Sequence, residues 1–140
     1  MATAFLDISA ALDANLNTLA LANNIPVAWE NSSYTPVTGR AYLRATLLPA
    51  DTDGLGLADN STDEHLGIYQ VDVFAPIDTG KGQAVMLADS IADQFKRGTE
   101  LIYNGVKVRI KTVSRSTGSR DGSWFIVPVY IQYYSFTQSR

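Results

Sequence analysis

Apolar positions first recur at three- and four-residue steps. Phe5, Ile8, Leu12, Leu16 and Leu19 form one row, while Asp7, Asp13 and Asn17 fall largely outside it. That spacing predicts an amphipathic helix over residues 3–22. Asn23-Asn24 followed by Pro26 ends it, because asparagine tolerates left-handed geometry and proline cannot continue the ladder. Residues 25–39 carry two prolines and an Asn-Ser-Ser run, which suits an irregular surface passage.

The period then changes to two. Over residues 40–48, Ala41, Leu43, Ala45 and Leu47 alternate with Arg40, Tyr42, Arg44 and Thr46, which predicts a strand with one buried face. Residues 66–74 alternate as well, with Tyr69, Val71 and Val73 set against Ile68, Gln70, Asp72 and Phe74. Between these strands, residues 50–65 hold five acids, three glycines or asparagines and no base. Sixteen residues without a pattern exceed the usual loop length, so an acidic arm on a long hairpin is expected. The arm is expected to be mobile in an isolated subunit and ordered by its neighbours, since few contacts offset its ordering entropy.

A turn at residues 76–82 leads to a second amphipathic helix over residues 83–97, with Ala84, Leu87, Ala88, Ile91, Ala92 and Phe95 on its apolar face. A short strand at residues 101–103 precedes Asn104-Gly105, the strongest short hairpin signal. Val106, Val108 and Ile110 then alternate with Lys107, Arg109 and Lys111. After a polar turn at residues 114–122, residues 123–136 form a long aromatic strand with apolar residues on both faces, expected to be central and covered. Pro128 cannot donate to a ladder, so a bulge or a local edge is expected there. The order of elements predicts one α+β domain over residues 1–140. Its sheet should be mainly antiparallel, of four to five strands, with two amphipathic helices packed on one face.

Composition narrows the function classes. The 140 residues are 46% hydrophobic and 18% charged, within the globular range. There is no cysteine, which excludes disulfides, thiolate metal sites and a cysteine nucleophile. The N-terminus lacks the basic start of a secretory signal and no run approaches a membrane span, so folding in a cytoplasm is expected. The net charge of −3 divides unevenly: residues 1–78 hold ten acids against two bases, and residues 79–140 hold nine bases against four acids. An acidic chain is a poor general binder of nucleic acid, but a bipolar one suits contact between copies of itself.

Candidate chemistry is sparse. His65 is the sole histidine, lies beside Glu64 and has no nucleophile motif nearby, so a solvated histidine is the expected reading. Asp51-Thr52-Asp53-Gly54 opens like a calcium loop, but Leu55 and Thr62 stand where that loop needs ligands. Gly80-Lys81-Gly82 lacks the remaining residues of a phosphate loop. The basic stripe of Lys107, Arg109 and Lys111 reads as a solvated strand face, without a nucleic-acid motif around it. Catalytic, cofactor-binding and metal-ligating residues are therefore all expected to be absent.

Read in order, several segments form a recognisable combination. Ile25-Pro-Val-Ala-Trp29-Glu-Asn31 and Tyr34-Thr-Pro36 follow the first helix. Leu66-Gly-Ile-Tyr69-Gln-Val-Asp-Val73, then Pro76 and Gly80, precede the second. Tyr103-Asn-Gly-Val106 and Pro128-Val-Tyr-Ile131 close the chain. The combination resembles a family of small bacteriophage proteins described as tail-terminator-like, over nearly the whole chain. The resemblance implies an α+β fold without a cofactor and a hexameric ring at the head-proximal end of the tail tube. Such a ring stops tube polymerisation and offers a head-joining surface. The implied partners are further copies of the chain, the tail tube protein and head–tail connector proteins, with neither membrane nor sequence-specific nucleic acid among them. The implied location is the virion tail, reached from the host cytoplasm.

Two other readings stay open: a neck connector or adaptor, and a small-ligand module or enzyme. The latter would need a pocket uniting Arg44, Arg109 and several carboxylates. The charge division itself points to contacts between subunits or with the tail, acidic arm against basic half. Its candidate residues are Asp51, Asp53, Asp59, Asp63 and Glu64 on one side and Arg109, Lys111, Arg115 and Arg120 on the other.

Overall fold

The computed structural model describes residues 3–57 and 61–138; Asp59 lies outside them. Helix α1 (Ala4–Ala22) leads to β1 (Val27–Ala28), β2 (Tyr42–Pro49), β3 (Asp53–Gly54) and β4 (Thr62–Pro76). Then come α2 (Gly82–Gln94), β5 (Glu100–Tyr103), β6 (Val106–Arg115), β7 (Ser119–Asp121) and β8 (Trp124–Gln138). The strands form one curled sheet in the order β1-β2-β4-β8-β6-β5, with β3 added to β4 and β7 to β8. The five strands expected from alternation are the five long ones. The other three are two- or three-residue extensions, too short to show a period. Every pairing is antiparallel except β1 with β2.

Both helices pack on one face. Ile8, Leu12 and Leu16 of α1 and Ala84, Ala88 and Ile91 of α2 meet the odd-numbered positions of β4 and β8, from Tyr69 to Ala75 and from Val127 to Tyr133. Leu43 and Ala45 of β2 and Val108 and Ile110 of β6 complete this core. Removing so many aliphatic and aromatic side chains from water is the main stabilising term of the fold. Two expectations for α1 need correcting. Phe5, at the head of the apolar row, is 61% exposed and meets the sheet edge-on at His65, with 5.9 Å between ring centres. Asp7, expected off the row, is buried: it accepts from Thr3 Oγ1 at 2.8 Å and from Asn104 Nδ2 at 3.3 Å. This bond pins the Asn104-Gly105 turn, whose positive φ angles of 50° and 81° match a tight hairpin, to the first turn of the helix. The second helix stops three residues earlier than its pattern suggests, at Gln94, with Phe95 capping it and fully buried.

Pro128 sits opposite Asp72 without breaking the β4–β8 register. Its carbonyl accepts from the Ser116 N–H, so its nitrogen faces the interval where β6 has ended and β7 has not begun. The missing donor falls at a local edge, as the sequence requires. The bulge lies elsewhere, in β6 between Ile110 and Thr112.

The acidic arm is shorter and more regular than its composition suggests. Strand β4 begins at Thr62, four residues before the first clear alternation, and pairs β8 along its whole length. Asp53 and Gly54 pair Glu64 and Asp63 on the other side of β4, continuing the flank that β2 occupies further along. His65 is accordingly not a solvated loop residue. It is 5% exposed, held between Thr52 Oγ1 at 3.2 Å and Thr137 Oγ1 at 2.7 Å, with Phe5 edge-on at 5.9 Å. Neighbouring carboxylates suggested exposure, but the ladder places this side chain on the helix-covered face.

Candidate assembly surfaces

The second face of the sheet carries no helix. The even-numbered positions of β4 and β8 lie there, flanked by Tyr42, Arg44, Thr46 and Leu48 of β2 and by Lys107 and Arg109 of β6. The expectation that β8 is central holds, but only one of its apolar faces is covered. Tyr134 and Trp124 are partly exposed and Phe136 is 49% exposed.

One end of this face is stabilised within the subunit. Tyr42 stacks on Phe74 at 4.4 Å, with Trp124 edge-on to Tyr42 at 5.1 Å and Tyr34 tilted against Tyr42 at 5.0 Å. The Tyr34 hydroxyl is buried there without a hydrogen-bond partner. Beside this cluster Arg44 donates twice to Asp72 Oδ2, at 3.1 and 2.8 Å, while Gln70 Nε2 donates to Oδ1 at 2.8 Å. The guanidinium also lies 4.9 Å from the Phe74 ring centre. Both oxygens of the buried Asp72 are thus satisfied, and the arginine shields the carboxylate from above.

At the opposite end the face turns apolar and charged together. Leu48, Ile68, Leu66, Tyr134 and Phe136 run diagonally across it. Tyr134 and Phe136 meet edge-on at 5.9 Å and, with Lys107 and Arg109, line an open groove of about 360 Å³. Arg109 already pairs Glu100 at 2.9 Å across the β5–β6 ladder. Among the described residues Lys107 has no carboxylate within ion-pair distance.

The predicted interface residues separate into two groups. Asp51, Asp53, Asp63 and Glu64 lie at the end of the sheet that also carries Arg109, whose partner on β8 is Tyr134. Lys111 is exposed at the β6 bulge. Arg115 pairs Val129 and Arg120 pairs Phe125, five and nine residues further along β8. Nine residues of strand span about 30 Å, so one arm cannot reach all four bases. Arg120 moreover bonds Asp78 of its own subunit at 2.5 Å. Alternation identified Arg109 and the stripe around it. The pairing of Arg109 with Glu100 and of Arg120 with Asp78 left no local signal, because both depend on strand register and turn geometry.

Arg44 and Arg109 do not converge. They stand on strands separated by β4 and β8, with register partners Pro128 and Tyr134 six residues apart on β8. Among the described residues no three histidine or acidic side chains gather to hold a metal ion, and no helix is long and apolar enough to cross a membrane.

One polar pair penetrates the core. Tyr69 Oη donates to Asp13 Oδ1 at 2.6 Å beneath α1. Burial raises the Asp13 carboxyl above its ordinary pKa, the Tyr69 bond opposes that shift, and Glu30 adds to it. Burial, with the Asp13 charge beside it, raises the Tyr69 phenol as well. The pair is placed to fasten α1 to β4.

Residues 7–133 match the family of phage tail terminator proteins. A solved structure 28% identical in sequence superposes with a TM-score of 0.80, covering 96% of each chain. No curated protein sequence matches.

Proposed function

The chain belongs to the phage tail terminator family, and from that premise we propose that it acts as a ring. Six subunits cap the head-proximal end of the tail tube, end its polymerisation and present the surface to which the head joins. Membership of the family makes this a phage tail protein with a structural role. The uncovered sheet face carries the finer reading, because a subunit with apolar side chains on both faces of its central strand has surface to bury in an assembly. The role proposed is structural rather than catalytic.

Each subunit contacts two neighbours through different surfaces, as a closed heterologous ring requires. The acidic arm meets the Arg109 and Lys111 flank of the next subunit. Arg115 and Arg120, on the far rim, face the tube or the connector. Such a protein is made in the host cytoplasm and ends in the virion at the top of the tail.

Electron microscopy of the purified chain, alone and mixed with tail tubes, tests the reading. Sixfold rings seated at one end of the tubes, and tubes that no longer elongate, are the expected result. Rings that bind connector but never tube would move the protein into the neck. Absence of rings under both conditions would overturn the proposal.

A further inference from the structure

The acidic arm carries two leucines, Leu55 and Leu57, that no described residue covers. Leu55 is 58% exposed, and Leu57 is as exposed as a side chain can be. The backbone at Leu55 is nevertheless held: its N–H donates to the Thr62 carbonyl at 2.8 Å, continuing the β3–β4 ladder up to the start of the tip. Apolar side chains on a braced, acidic projection are costly to leave in water. The complement of that projection lies on the same molecule. The groove between β8 and β6 has aromatic walls, Tyr134 and Phe136, and a basic border, Lys107 and Arg109.

The arm cannot fill its own groove. Strand β3 lies on the flank of β4 opposite β8, while the groove lies beyond β8, two to three strand spacings away, on the order of 10–15 Å. Arm and groove thus occupy opposite flanks of the sheet at the same end. Copies related by rotation about an axis along the strands bring one subunit's arm to the next subunit's groove.

We propose that Leu55 and Leu57 of each arm seat in the Tyr134–Phe136 groove of the adjacent copy. There Lys107 and Arg109 border the carboxylates of Asp53 and Glu64, register partners on one face of the ladder. The occupant is a second copy of this chain, chosen by the match of acid to base and of leucine to aromatic. Lys107, unpaired with any carboxylate among the described residues, is the base most ready to take a new partner. The ring reading is assumed in one respect only, that repeated docking closes.

The chain lacks cysteine, so paired cysteines report the contact cleanly. A double variant, Leu57→Cys with Phe136→Cys, is oxidised in the full-length protein and its products are separated by mass under denaturing conditions. A ladder of disulfide-linked species ending at the hexamer is expected, with each single-cysteine variant giving dimer at most. Leu57→Asp is expected to weaken association about tenfold or more, as measured by sedimentation, while its circular dichroism and melting match the parent. Cross-linking that stops at the dimer would leave the docking intact and overturn the ring. Rings that form without the 57–136 cross-link, and that tolerate Leu57→Asp, would overturn the docking and leave the ring. A parent chain that never associates at any concentration, with or without tail tubes, would overturn both.

Discussion

Asp13, half-buried, and Asp72, buried, are carboxylates with opposite consequences. Asp72 has an arginine and an amide on its oxygens; Asp13 has a phenol and, nearby, the carboxylate of Glu30. Because the folded-state pKa of Asp13 is raised, the native protein holds this proton at pH values where the unfolded chain has released it. Stability from this group is therefore fully present below the unfolded value and declines as pH rises through the folded one. Asp13→Asn keeps an oxygen for the Tyr69 hydroxyl and removes the charge. Thermal melts should show the variant more stable than the parent at pH 7, with the difference vanishing near pH 3. A parent advantage at pH 7 would mean that the ionised form is the one the core prefers. Arg44→Ala should act the other way, since it strips the buried Asp72 of its cation. Arg44 is half-exposed and water can replace part of its contact, so a loss of about 2–3 kcal/mol in denaturant unfolding is expected, below that of a fully buried pair. Neither carboxylate's role is visible in the sequence, because Asp13 lies off the apolar row of its helix and Asp72 reads as an ordinary outward strand position.

At the level of elements, the strands that alternate cleanly were legible and those that do not were hidden. Val71 and Val73 mark β4 unmistakably, but its first four residues, Thr-Asp-Glu-His, read as loop because their composition is polar on both faces. What makes them a strand is the partner: β8 runs on to Gln138 and offers an unbroken ladder to Thr62. Non-local pairing overrode local propensity. Just past that extension Gly67 has a specific task. A Cβ there would come within 2.5 Å of the Tyr133 hydroxyl and 2.9 Å of the Leu48 carbonyl, so the bare backbone lets the tyrosine ring lie across the strand. The backbone carbonyl cannot yield without disturbing the β2–β4 ladder. Gly67→Ala is expected to cost about 1–3 kcal/mol and to expose Tyr133, which is otherwise 3% exposed. Tyrosine fluorescence quenching with an unfolding curve would register both effects. Unchanged stability would show that the ring can shift at no cost.

The whole molecule is asymmetric in a way that the charge count along the chain conveyed only in part. Acidic and basic halves of the sequence do not become acidic and basic halves of the fold, because β6 carries its bases into the same sheet as β4, one strand beyond β8, and Glu100 and Asp78 neutralise two of the arginines. What survives is a local polarity at one end of the sheet: an acidic projection on one flank and a basic, aromatic groove on the other. Exposed charges of this kind act mainly on encounter, and salt screens them over about 10 Å at 0.1 M. On the proposed docking, raising salt from about 0.05 to about 0.5 M should therefore slow ring formation by about an order of magnitude while changing the dissociation of formed rings little, since leucines seated against aromatic rings would hold them. Light scattering after a concentration jump gives the first rate and dilution gives the second. Lys107→Glu with Arg109→Glu should slow formation further and reverse its salt dependence, because like charges then face each other and screening relieves them. Arg115→Glu with Arg120→Glu, about 20–30 Å away along the strands, should leave both ring rates near those of the parent and weaken attachment to the tube or connector. Ring formation slowed as much by the far pair as by the near one would place the subunit contact at the opposite end of the sheet.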